Sequence, residues 1–211
     1  MGCSRRIPTG PVSDRAFSAA LLAGGRSTRM GTDKAFLPFG DPPRALWERQ
    51  LDLLASLGPD EILLSQNGEQ QFPGRAGVEI VVDEQPDGGP LGGLVSCLRK
   101  VSSPRLLVLA VDLPFMTGEF LGKLLRGAGG AILRDPESGR FEPVAAVYPA
   151  GILALAERRM QSGEYSLQGL IAEGVEAGDL EVRELGEGQG ALLRNLNRPE
   201  DLDGSLSRGG G

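Results

Sequence analysis

The stretch Leu22-Ala23-Gly24-Gly25-Arg26-Ser27-Thr28-Arg29-Met30-Gly31-Thr32-Asp33-Lys34 sets three glycines, two arginines and a lysine directly after an apolar run of strand length. Such a loop suits phosphate. Glycines let backbone amides approach phosphoryl oxygens, and Arg29 and Lys34 can neutralise the charge that builds when a pyrophosphate leaves. The spacing is neither G-x-G-x-x-G nor G-x-x-x-x-G-K-[ST], so it supports neither the dinucleotide fingerprint nor the P-loop. On composition alone the same loop also reads as a surface turn. Asp83 and Asp112 each close an apolar run, at 78–82 and 105–111. Both are candidate functional carboxylates, and both are residue types that also serve simply as turn formers.

The rest of the composition narrows the chemistry. Histidine is absent from all 211 residues, which excludes imidazole bases, Ser-His-Asp triads and histidine zinc sites. Carboxylates, lysine, arginine, backbone amides or a bound metal are left. Of 22 basic residues only Lys34, Lys100 and Lys123 are lysine, so a lysine inside a glycine-rich loop stands out. The net charge of −6 disfavours nucleic acid and anionic membranes as partners, and an anionic substrate needs a local basic pocket. Cys3 and Cys97 form no CxxC pair and suggest no disulfide framework, the pattern of a reducing cytoplasm.

The elements that must position these residues follow from periodicity. Residues 17–23 read as a strand, and 45–57 as a helix with apolar residues at helical spacing, ended by Gly58-Pro59. Strands are expected at 61–65, 78–82, 105–111, 131–133, 144–148 and 180–185. Helices are expected at 91–100, from an N-cap at Thr117 to 126, at 152–160, at 167–172 and at 199–206. This alternation predicts an α/β fold: one three-layer domain with a mostly parallel sheet, spanning 16–206 between a disordered tail at 1–15 and a loose end at 207–211. In such sheets ligands bind at the carboxyl ends of strands where strand order reverses, so the Gly24 loop, Asp83 and Asp112 are expected on one edge.

The run from Leu22 through Gly40 resembles the N-terminal signature of the molybdenum cofactor guanylyltransferases, within the wider group of α/β nucleotidyltransferases of Rossmann-like fold. The similarity continues through Asp83, Gly89-Pro90-Leu91-Gly92-Gly93, Val111-Asp112-Leu113-Pro114-Phe115 and Asn195-Leu196-Asn197-Arg198-Pro199. The resemblance implies that Leu22, Ala23 and Gly24 lie against the base and ribose of a nucleotide, with Gly25 and Arg29 at its phosphates. It implies that Lys34 contacts the phosphates and stabilises the transition state, that Asp83 touches the nucleotide, and that Gly89 to Gly93 form a backbone-lined wall. Asp112 matches the metal-binding aspartate, with Asn197 as a weaker metal neighbour. One carboxylate plus substrate phosphates suits Mg²⁺. The implied reaction transfers GMP from GTP to the phosphate of molybdopterin, or of the molybdenum cofactor, with release of pyrophosphate. The implied protein partners are those that deliver the cofactor or mature molybdoenzymes.

Two departures from the family pattern stand out. Ser65 occupies the place where the family often has an asparagine facing guanine, with Asn67 two residues on. Glu142 precedes Pro143-Val144-Ala145-Ala146-Val147-Tyr148 where His or Gln is common, and a carboxylate there is unfavourable beside an anionic acceptor unless screened or paired. Glycine at position 24, where cytidine-using relatives resemble LAAG, favours guanine. The alternatives left open are a cytidylyltransferase for the same cofactor, a sugar-phosphate nucleotidyltransferase, and a non-catalytic nucleotide-binding partner protein.

Overall fold

A computed structural model describes residues 16–24, 33–68, 70–85, 88–186 and 188–196. Among these, seven strands form one sheet: β1 (Ser18–Leu22), β4 (Ile62–Gln66), β5 (Val78–Val82), β6 (Arg105–Ala110), β7 (Gly130–Arg134), β8 (Phe141–Pro149) and β9 (Leu180–Glu184). Their order is β5-β4-β1-β6-β8-β7-β9, and a two-stranded hairpin of β2 (Pro38–Phe39) and β3 (Arg44–Ala45) stands apart. Pairing is parallel between β1 and β4, β1 and β6, β4 and β5, and β7 and β9; β8 runs antiparallel to both neighbours. The expected mostly parallel α/β sheet is present.

Strand alternation sends side chains to both faces, and both faces are apolar because helices cover both. In β1, Ala19 and Leu21 join one core and Ala20 and Leu22 the other; in β6, Leu107 and Leu109 oppose Leu106 and Val108. The first core is closed by α1 (Leu46–Ala55) and α3 (Gly118–Leu124). The second is closed by α2 (Gly89–Leu98), α4 (Leu153–Gln161) and α5 (Leu167–Glu176). The result is three layers. α2 is apolar nearly all round, with every residue from Leu91 to Leu98 buried, as befits a helix enclosed between the sheet and another helix.

Thr117 caps α3 by accepting from the Phe120 N–H at 3.3 Å, as its hydroxyl predicts. Other boundaries differ from the sequence reading. β8 is longer than 144–148 and antiparallel, because it is clamped between β6 and β7 along most of its length. α2 begins at Gly89 rather than 91, since glycine there adopts φ +57 and lets the chain enter the helix sharply. The expected helix at 199–206 lies outside the described residues.

Candidate functional site

The chain leaves the middle of the sheet at β1, builds outward through β4 to β5, then returns to the other side of β1 as β6. Strand order reverses at that point, so the carboxyl ends of β1, β4 and β6 diverge into a crevice. Three backbone bonds carry the register just past the strand ends: Ala23 N–H to Ser65 O at 3.0 Å, Val111 N–H to Leu22 O at 3.1 Å, and Asp83 N–H to Gln66 O at 2.8 Å.

A cavity of about 240 Å³ opens in this crevice, lined by Leu22, Ala23 and Gly24 from β1, Ser65 from β4, and Ala110 to Asp112 from the end of β6. Asp33 and Lys34, Pro90 and Gly93, Val144 and Asn195 complete the lining. Of the residues singled out from the sequence, Leu22, Ala23, Gly24, Lys34, Ser65 and Asp112 thus meet in one place. Gly25, Arg29 and Asn197 lie outside the described residues. Asp83, just after β5, and Gly89, the first residue of α2, are not in the lining. Asp33, Val144 and Asn195 are in the lining although their residue types had not marked them. Their only sequence signal was proximity to the Lys34, Pro143 and Asn197 motifs.

Each side chain has a reason for its position. Lys34 opens a 3-10 turn, Lys34–Phe36, whose N-cap Asp33 accepts from the Ala35 N–H at 3.0 Å. Asp112 sits in the turn after β6, and the buried side-chain amide of Gln50 in α1 donates to the next carbonyl, Leu113 O, at 2.6 Å. Gly93 lets α2 pack against β4, because a Cβ there would fall 2.9 Å from Ser65 Oγ. Gly92 does the same beside Asp83, where a Cβ would fall 2.9 Å from both carboxylate oxygens. Asp83 itself accepts from the Gln85 N–H at 2.9 Å, so one of its oxygens is engaged in shaping the loop before α2.

The electrostatics oppose burial to charge. Burial raises the Asp112 carboxyl above its ordinary value, while the Lys34 ammonium pulls it back down. This makes Lys34 and Asp112 electrostatic neighbours, although 78 positions separate them in the sequence. Glu142 is also raised, first by burial and further by the Asp112 charge, against a backbone hydrogen bond at Val144 and the charge of Arg140. It lines a second cavity of about 800 Å³ with Asp135, Arg140, Pro143, Gln168 and Leu193. Val144 and Asn195 border the first cavity, and Pro143 and Leu193 the second, so the two adjoin across the rim of β8.

Asp112 is a lining residue that could offer a divalent cation a carboxylate oxygen beside Lys34. Among the described residues no group of three or more His, Cys, Asp or Glu side chains forms a cage. Asp112 with phosphate and water oxygens is the donor set that a hard, reluctantly dehydrated cation takes. No helix among the described residues is long and apolar enough to cross a membrane.

A mostly parallel sheet with a cavity where its strand order reverses is a frame that α/β nucleotidyltransferases share with other nucleotide-binding proteins. Residues 19–177 match the MobA-like NTP transferase domain, and the chain belongs to that family. It is 38% identical to a protein of Opitutus terrae described as a probable molybdenum cofactor guanylyltransferase, over 89% of this chain and 94% of that one. It is 35% identical to a protein of the same description from Chloroflexus aggregans, over 88% and 91%. Among solved structures it resembles molybdopterin-guanine dinucleotide biosynthesis protein A from Archaeoglobus fulgidus, with a TM-score of 0.69 at 22% identity over 89% of this chain and 96% of that one. The 2-C-methyl-D-erythritol 4-phosphate cytidylyltransferase of Thermus thermophilus shares the fold, with a TM-score of 0.62 at 20% identity over 87% and 94%.

Proposed function

We propose that the protein transfers GMP from GTP to the phosphate of molybdopterin or the molybdenum cofactor, releasing pyrophosphate and forming the guanine dinucleotide of the cofactor. The observation that carries this reading is the meeting of Gly24, Lys34, Ser65 and Asp112 around one cavity at the switch point. Guanylyltransferase relatives at 35–38% identity over nearly the whole chain support the base and the acceptor.

In this reading Leu22, Ala23 and Gly24 hold the base and ribose, Ser65 faces the base, and Lys34 holds the phosphates. Asp112 would hold Mg²⁺, which supplies charge neutralisation for the polyphosphate when bound. The protein's own contribution is alignment of the acceptor oxygen with the α-phosphorus, and a lysine placed where negative charge grows, so no covalent nucleophile is needed. The acceptor's ring system enters the second cavity, which brings its phosphate over the β8 rim toward the first. Burial disfavours the charged form of Glu142, and the Arg140 charge beside it offsets its repulsion of an anionic acceptor.

The test is pyrophosphate release and dinucleotide formation with purified acceptor, Mg²⁺ and each of GTP, CTP and ATP. GTP is expected to be used at the highest kcat/KM. A preference for CTP overturns the guanylyl reading, and GTP binding without pyrophosphate release identifies a non-catalytic binding protein.

A further inference from the structure

Gln70 is a buried polar side chain that lies outside the cavity lining, in the loop after β4, and is 8% exposed. Its amide makes three of the four hydrogen bonds open to a primary amide, using both donors and one of the two acceptor positions. Nε2 donates to the Ala23 carbonyl at 2.9 Å and also to Asp33 Oδ2. Oε1 accepts from the Asn67 N–H at 3.1 Å, and the Gln70 N–H is returned to Asn67 Oδ1 at 3.0 Å. One side chain therefore joins the end of β1, the end of β4 and the residue that caps the Lys34 turn.

The consequence lies in Asp33. Its Oδ1 holds the Ala35 N–H and so defines the first step of the turn that begins at Lys34, while its Oδ2 is held by Gln70. The turn bearing Lys34 is thereby anchored, through two side chains, to the Ala23 carbonyl on the cavity floor. Without the amide, the Ala23 carbonyl and one Asp33 oxygen both lose a buried donor, and the turn loses its registration against the strand end. Reacting groups misplaced by about 1 Å lose rate on the order of 100-fold.

We propose that Gln70 is a positioning residue for transfer, acting through Asp33 to hold the Lys34 ammonium over the cavity. This rests on the role of Lys34 given above, and a double-mutant cycle separates the two ideas. The measurement is kcat and KM for GTP, with Tm alongside, in the wild type, Gln70→Ala, Lys34→Ala and the double variant. Gln70→Ala is expected to lower kcat by about 10- to 100-fold with KM little changed, and to cost less than about 3-fold when Lys34 is already alanine, since residues acting through one another are not additive. The same fold loss in both backgrounds means a merely structural role and overturns the proposal. A Lys34→Ala enzyme with wild-type kcat overturns the role of Lys34 itself.

A second pair covers the case in which Gln70→Ala does not fold. Gln70→Glu keeps the acceptor for the Asn67 N–H but sets a carboxylate against Asp33, so kcat is expected to fall. Adding Asp33→Asn restores a donor between the two positions and leaves an oxygen for the Ala35 N–H, while the Ala23 carbonyl stays without its donor, so kcat is expected to recover in part relative to Gln70→Glu alone. No recovery in a double variant of wild-type Tm overturns the proposal.

Discussion

The Leu196 N–H donates to the carbonyl of Asp112 at 3.1 Å, joining positions 84 apart and laying the segment that carries Asn195 across the end of β6. The same turn is held from below by Gln50 at the Leu113 carbonyl. The turn is therefore held through two successive carbonyls, Asp112 O and Leu113 O, and neither bond uses the Asp112 carboxylate. Asp112→Asn is expected to fold normally and to lose transfer by on the order of 100-fold or more, the scale seen when a preorganised group at a reacting centre is removed. Tm measured with GTP and rising Mg²⁺ checks the cause: wild type gains stability with the metal and the variant does not. Turnover at the wild-type rate would remove Asp112 from the mechanism.

Gly24 lines the cavity, yet a Cβ built on it points at the backbone of the next strand, 3.2 Å from the Asn67 nitrogen and 3.4 Å from the Gln66 carbonyl carbon. Direct exclusion of a purine by a methyl at this position, the reading suggested by LAGG against LAAG, is not the contact that the geometry offers. Gly24→Ala is instead expected to push the ends of β1 and β4 apart, at about 1–3 kcal/mol of overpacking. It should lower kcat/KM for GTP and CTP alike. A GTP/CTP ratio that changes by more than roughly the tenfold worth of one methyl contact would restore the base-sensing role.

Gly92 is the tighter glycine. A Cβ there falls 2.9 Å from both Asp83 oxygens and from the Gln85 carbonyl, and a backbone atom cannot swing aside as a side chain can. Gly92→Ala is expected to destabilise by about 1–3 kcal/mol, lowering Tm by several degrees and raising KM for GTP by moving the loop before α2. A variant with wild-type Tm and KM would show that this loop adjusts freely.

Burial raises the Asp83 carboxyl above its ordinary value, against hydrogen bonds from the Gln85 N–H and the Ser96 hydroxyl, with the Glu84 charge adding to the rise. A carboxyl raised in the folded state favours folding below its unfolded value, and that contribution is lost as pH rises through the folded value. Ionised Asp83 thus weakens the fold at neutral pH. Asp83→Asn, with an oxygen still able to accept from Gln85, is expected to raise Tm at pH 7. The gain should close as pH falls toward about 4, near the ordinary carboxylate range. An equal gain at both pH values, or a loss at pH 7, would contradict this origin.

Much of the site was legible in the linear chain. The strand ending at Gly24, the loop cation Lys34 and the strand-end Asp112 follow from local periodicity, residue type and the rule that ligands gather at the carboxyl edge of a parallel sheet. Absent histidine narrows the chemistry to carboxylates, lysine, arginine, backbone amides or a bound metal, and scarce lysine makes Lys34 stand out. Local pattern reaches only as far as one element. Asp83 follows a strand just as Asp112 does, but β5 is the outermost strand and β6 the neighbour of β1, so only Asp112 lines the cavity. Strand order decides this, and the alternation of apolar residues is the same whichever order the strands take. The direction of the Gly24 Cβ, the Leu196 tie to Asp112 and the three-way bonding of Gln70 all join segments from separate elements. They exist only once packing has brought those segments within hydrogen-bonding reach.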